Sequence, residues 1–216
     1  MSASLQDIQA AGGRSASPVV HSPAPLSMQL FEATGTKVSC KLDCRRFGAR
    51  VVLRGADLGE ARMRADEIAA EQSRTSINGF DDPAVVAAQS TLGLEIVRQV
   101  PEVAAVLVPA CGAGLIAAVA LALKTLKPEV RIIGVEPECA ASFTEACRAG
   151  RPVRVDLRPT LADGHAVAQV WAHPFQIARE TVDQVLRVGE HGIALGILRL
   201  MELEKTVVEG FALSPA

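Results

Sequence analysis

The residues with most chemical promise are Pro109-Ala110-Cys111-Gly112-Ala113-Gly114-Leu115, a run of small side chains between two apolar stretches. Small residues let a backbone approach an anion closely, and free N–H groups at a helix start point towards it. A phosphate is the natural guest of such a turn. The run is not a Walker loop, since Gly-Lys-Ser/Thr is absent, nor a full G-x-G-x-x-G. Tight strand–helix packing without a ligand accounts for the same letters equally well. Other reactive side chains are scattered: five lysines (Lys37, Lys41, Lys124, Lys127, Lys205), four histidines and five cysteines (Cys40, Cys44, Cys111, Cys139, Cys147). Structural zinc needs four converging ligands, and Cys40-x-x-x-Cys44 supplies two, so reduced thiols are expected.

The elements around the turn alternate. Strands are expected at Lys37–Leu42, Ala49–Leu53, Ala104–Val108, Arg131–Val135 and Gln184–Val188. Ser4-Leu5-Gln6-Asp7 has the form of a capping box that opens a short helix. Asp57 caps a helix to about Glu71, with Ala61, Ala65, Ile68 and Ala69 on one face. Asp82-Pro83 opens another, running to about Gln99. Further helices are expected at Leu115–Leu126, before Gly150, near Pro174–Glu180 and from Glu190 to Val207. Strands alternating with helices imply an α/β fold, a parallel sheet with helices on both faces. The glycine turn then sits at the carboxyl end of a strand, where open parallel sheets bind their ligands.

Composition narrows the function classes. With 216 residues the chain makes one or two domains. The expected division is an N-terminal helix and loop, 1–36, followed by an α/β domain over 37–216. A net charge of -2, one Trp and no Tyr argue against nucleic-acid binding. Val103–Leu123 carries no charge and is long enough for a membrane span, but Pro109, Gly112 and Gly114 break it in the middle. Met1–Ala11 lacks a basic and apolar leader, so a cytoplasmic location is expected.

Val108 to Leu115 resembles the valine-proline plus four-glycine phosphate loop of the serine/threonine dehydratases. These are fold-type II pyridoxal-phosphate enzymes related to serine racemase. The likeness extends through Ser4-Leu5-Gln6-Asp7-Ile8, Lys41-Leu42-Asp43, Phe80-Asp81-Asp82-Pro83, Val135-Glu136-Pro137-Glu138, Thr160-Leu161-Ala162-Asp163-Gly164 and Glu204-Lys205-Thr206-Val207-Val208-Glu209-Gly210. Intact members turn L-serine into pyruvate or L-threonine into 2-oxobutanoate, with release of ammonia. The resemblance implies that Cys111, Gly112, Ala113, Gly114 and Leu115 hold the phosphate of pyridoxal phosphate. It also implies a divalent cation (Mg or Mn) at Glu136, Ala140 and Ser142, where the serine is a poorer ligand for a hard cation than the family's acid. The plain alternative for Glu136 is a solvated residue at a strand end.

Four departures from the family pattern stand out. Cys111 and Ala113 replace the first and third loop glycines, adding a Cβ where the backbone can need positive φ. The Ser-x-Lys-x-Arg-Gly-Ala motif, whose lysine holds the cofactor covalently and moves the α-proton, is missing after Lys41-Leu42-Asp43. So is the Ser-x-Gly-Asn-His loop that cradles the substrate carboxylate. Phe211 to Ala216 stands where the family continues to a Ser-Gly-Gly strand, so the chain reads as internally deleted with a shortened tail. The expectation is a dehydratase homologue without lyase activity. Two others remain: an interaction protein that pairs with itself or an intact relative, and an active lyase using another base.

Overall fold

The structure, a computed structural model, describes residues 6, 8–10, 52, 54, 55, 58–203 and 208. The strand expected at Lys37–Leu42 lies outside them, as do Asp57 and Ser4, Leu5 and Asp7 of the capping box. Of the strand expected at Ala49–Leu53 only Val52 is described, and it belongs to no strand. Residues 6 and 8–10 are helical, with Ile8 buried.

Helix α1 (Leu58–Glu71) buries no residue. Its expected apolar face is at most half-buried, and ion pairs Arg62–Asp66 at 2.8 Å and Arg64–Glu67 at 2.9 Å run along it. Such exposed pairs contribute little. The single helix expected from Pro83 is two: α2 (Pro83–Gln89) and α3 (Thr91–Gln99). Asp82 starts α2 as expected, its carboxylate accepting from Ala84 N at 2.8 Å. The break falls at Ser90, whose hydroxyl donates to the Val86 carbonyl at 2.9 Å. Serine competes for helix carbonyls in this way and bends the ladder.

The sheet has three parallel strands in the order β1 (Ala105–Pro109), β2 (Arg131–Pro137), β3 (Gln184–Val188). Val108 pairs with Gly134, and Val135 with Leu186. Helix α4 (Gly114–Leu126) joins β1 to β2 and carries the centre of the core. The uncharged stretch is thus a strand, a turn and a buried helix. Ile116, Val119, Ala120 and Leu123 are fully buried, against Val108 and Ile132 of the sheet. Helix α5 (Ser142–Ala149) and helix α6 (Ala172–Thr181) add Phe143 and Phe175, whose rings meet edge-on at 6.0 Å. Helix α7 (Glu190–Leu203) follows β3 and buries only Ile193. The other sheet face carries Leu107, Ile133 and Leu186, with Leu107 40% and Leu186 39% exposed among the described residues.

The amino edge of the sheet is clipped by one ion pair. Lys124 of α4 donates to the Val130 carbonyl and lies 2.9 Å from Asp183, which also accepts from Ile132 N at 2.6 Å. These bonds, the Ile132 N–H first, hold the Asp183 carboxyl below its usual range. No helix of the described residues is long and apolar enough to cross a membrane.

Helix α3 reaches the core through Gly93, where a Cβ would lie 2.7 Å from that of Ala122 and 3.2 Å from the Val119 carbonyl. Both neighbours belong to the rigid backbone or first carbon of α4, so neither can swing away. Gly93→Ala should therefore destabilise the fold by about 1–3 kcal/mol, the usual cost of overpacking. A lowered urea midpoint at unchanged slope would register it.

Candidate functional site

Strand β1 ends at Pro109, four residues turn the chain, and α4 begins at Gly114. The turn therefore lies at the carboxyl edge of the sheet, as the sequence pattern requires. Its backbone is unusual. Cys111 has φ +42° and Ala113 has φ +72°, both in the left-handed region. These are the two positions that resemble replaced glycines. Each holds a conformation that costs an L-residue about 1–2 kcal/mol. The neighbours hold them there: Ala113 N donates to the Ala110 carbonyl at 2.7 Å, and the Cys111 thiol to the Gly164 carbonyl at 3.4 Å. Trp171 N donates to the Gly112 carbonyl at 3.2 Å. At Gly114 a Cβ would lie 3.0 Å from the Phe80 carbonyl oxygen, so any larger residue would have to push the Phe80 backbone aside.

The first N–H groups of α4 have no partner within the helix, and the helix dipole favours an anion beside them. Cys111 is no nucleophile. Burial, against a weaker opposing hydrogen bond at Gly112, pushes its thiol up to about 11, so it stays protonated at neutral pH.

The expected cation site is built for another purpose. Glu136 is only 1% exposed, which excludes the solvated strand-end reading as well. Its two oxygens accept from Phe143 N at 3.0 Å and Thr144 N at 2.9 Å, capping the start of α5. Ala140 closes a short 3-10 turn, and the Ser142 hydroxyl is buried without a hydrogen bond among the described residues. A divalent cation wants several oxygens free to converge, and here the one carboxylate is already engaged by backbone donors. The described residues hold no group of three or more His, Cys, Asp or Glu placed to bind a metal. The donor set does not fit the cation that the resemblance implied.

Neither of the two described lysines stands at the turn. Lys124 is clipped to Asp183, and Lys127 donates to the Pro101 carbonyl; both sit at the carboxyl end of α4, the opposite edge of the sheet. Lys37, Lys41 and Lys205 lie outside the described residues. His165 is fully buried in the 3-10 turn Asp163–His165. The sequence reading missed Trp171, which stacks on Phe80 with ring centroids 6.2 Å apart and carries Arg62 over its ring at 6.0 Å. Its signal was available: a lone Trp shortly after a family motif.

A family model, "Pyridoxal-phosphate dependent enzyme", matches residues 30–213. The chain belongs to this family. The L-threonine ammonia-lyase of Geobacter sulfurreducens is 43% identical over 171 residues, 79% of this chain and 42% of the relative. Among solved structures, the processed threonine deaminase isoform 2 of Solanum lycopersicum superposes with a TM-score of 0.76 at 36% identity. That match covers 83% of this chain and 53% of the other. A threonine deaminase from T.th. gives a TM-score of 0.83 at 28% identity, over 98% of this chain and 91% of the other. The chain thus spans about two fifths of the length of the first curated relative. The similarity to threonine ammonia-lyases and deaminases runs through most of the chain, and the glycine turn falls within the region matched by the family model.

Two substitutions test this geometry. Ala113→Gly should stabilise the fold by about 0.5–1 kcal/mol, the relieved strain less the entropy that glycine adds to the unfolded chain; the urea midpoint should rise. Glu136 offers a test in pH. Burial, opposed by the Thr144 and Phe143 donors and by Arg187, raises its carboxyl above the ordinary 4.5. A raised carboxyl stabilises most when protonated, below its unfolded value, and that contribution is lost as pH climbs through the folded value. Relative to Glu136→Gln, the wild type should therefore lose stability as pH rises through and above the ordinary carboxyl value of 4.5. Parallel unfolding curves across that range would contradict the assignment.

Proposed function

We propose that this chain is a serine/threonine dehydratase-like protein that keeps the phosphate-anchoring turn of its family and does no ammonia-lyase chemistry by itself. The observation that carries this reading is the separation of two parts. The turn lies at the carboxyl edge of the sheet, while Lys124 and Lys127 are tied down at the other edge. The N–H groups over 111–115 would hold the phosphate of pyridoxal phosphate without a covalent link. Two Cβ atoms at positive φ make that hold weaker than an all-glycine loop would.

When bound in an intact relative, pyridoxal phosphate draws electrons from the substrate α-carbon so that its proton can leave. That departure needs a free amine close by. The missing Ser-x-Lys-x-Arg-Gly-Ala motif supports its absence here. The cofactor is pyridoxal phosphate, bound weakly, and the natural small molecule of the parent activity is L-serine or L-threonine. The location is cytoplasmic.

A second reading has its own observation. Leu107, Ile133 and Leu186 leave a sheet face partly open, whereas parallel sheets are ordinarily covered on both faces. An interaction role, with a second copy or an intact relative covering that face, follows from it.

Borohydride reduction in the presence of pyridoxal phosphate, followed by mass analysis, tests the first reading. No lysine should carry a stoichiometric adduct, and L-threonine should give no 2-oxobutanoate above the free-cofactor rate. One fully modified lysine with turnover would overturn it.

A further inference from the structure

The carboxyl edge of the sheet also holds a cavity beyond the ends of β2 and β3. Its volume is about 200 Å³, and Glu138, Cys139, Arg158, Pro159, Gly189 and Glu190 line it. Three segments meet there. Glu138 opens the 3-10 turn after β2, while Gly189 and Glu190 carry the chain from β3 into α7. The segment of Arg158 is held over them by its backbone, whose N–H donates to the Cys139 carbonyl at 3.1 Å. Among the described residues, none of the glycine turn lines this cavity.

The charged groups of its wall are unequally engaged. Glu190 is committed: one oxygen accepts from the Cys139 thiol at 3.1 Å and the other from Leu161 N at 2.7 Å. Burial raises the Cys139 thiol, which stays protonated at neutral pH and adds no charge. Glu138 and Arg158 are exposed, and among the described residues neither has an ion pair or a side-chain hydrogen bond. A Cβ on Gly189 would lie 3.5 Å from Glu138 Oε2, so this carboxylate sits beside a glycine of the cavity wall with no side chain between them.

Opposite charges left unpaired on one cavity select a ligand that carries both. A simple anion would meet two carboxylates, and a simple cation would leave Arg158 without a partner. A small zwitterion avoids both penalties. The volume equals about seven waters at ~30 Å³ each, which suits an amino acid with a short side chain. The place is also apt, since open parallel sheets bind ligands outside the carboxyl ends of their strands. We propose that this cavity binds a small α-amino acid as its zwitterion, the ammonium at Glu138 and the carboxylate at Arg158. A guanidinium presents two parallel N–H donors to a carboxylate, which fixes the orientation. The site is separate from the glycine turn and does not rest on that turn's holding a phosphate.

L-serine is the probe, titrated into the intact chain by calorimetry without pyridoxal phosphate. Ethanolamine keeps its ammonium and lacks the carboxylate; 3-hydroxypropionate keeps the carboxylate and lacks the ammonium. Each should bind at least about tenfold more weakly than L-serine, the loss expected for one charged hydrogen-bonding partner. Glu138→Gln and Arg158→Gln should each weaken L-serine binding about tenfold. Their thermal unfolding midpoints should change little, because both side chains are exposed. Excess inorganic phosphate should leave the L-serine affinity unchanged, whether or not phosphate itself binds at the turn. Failure of L-serine to bind overturns the proposal, as does equal binding of either analogue. Wild-type affinity in either variant removes that group from the site and overturns it too. Competition by phosphate would place the amino acid at the turn instead and has the same consequence. The analogue comparison needs no variant, so a substituted chain that fails to fold leaves the test intact.

Discussion

The structure depends on a turn that L-residues disfavour. Between β1 and α4 the chain must reverse within four residues, and it does so with Cys111 and Ala113 in the left-handed region. Strain of this kind persists only when the surroundings over-determine it. Here they do so from three sides. The Gly164 segment accepts the Cys111 thiol, the Trp171 backbone grips the Gly112 carbonyl, and the Phe80 carbonyl crowds Gly114. Loops far apart in sequence are therefore tied to one point at the carboxyl edge of the sheet. The core fixes that point in turn, since α4 is buried along most of its length and cannot shift without moving Val108 and Ile132.

How much of this was legible depended on what each residue type can reveal. Strand β3 was expected at its observed bounds, and α4 and β2 within two residues, because uncharged runs flanked by Gly, Pro and charges have few other solutions. Ser90 was not legible as a break. Its effect comes from a hydroxyl finding the Val86 carbonyl and from Gly93 meeting α4, and neither appears in a helical pattern. The family's loop glycines gave correct warning that positions 111 and 113 can need positive φ, since that demand is a property of the backbone path alone.

Glu136 shows the opposite case. Its type and place beside a strand end are compatible with a cation ligand, a solvated acid or a helix cap, and sequence cannot rank them. What decides is the position of α5, whose first N–H groups arrive within 3.0 Å of both oxygens. A carboxylate at a helix start gains from the dipole and from two donors, which offsets part of its desolvation. Burial still wins, so the carboxyl remains above its ordinary range. A residue aligned with a metal ligand has become part of the scaffold that orients α5.

That shift in role bears on the whole site. Chemistry with pyridoxal phosphate needs the cofactor anchored and a free amine within reach of the substrate. Among the described residues the turn and the lysines lie at opposite edges of the sheet. Its carboxyl edge carries the strained turn from Ala110 to Gly114, while Lys124, bound to Asp183 and the Val130 carbonyl, secures the amino edge. A lysine committed to holding strands β2 and β3 together cannot also act as a base, because each task needs its Nζ in one place. Stability and chemistry draw on the same small supply of amines, and among the described residues stability has taken both.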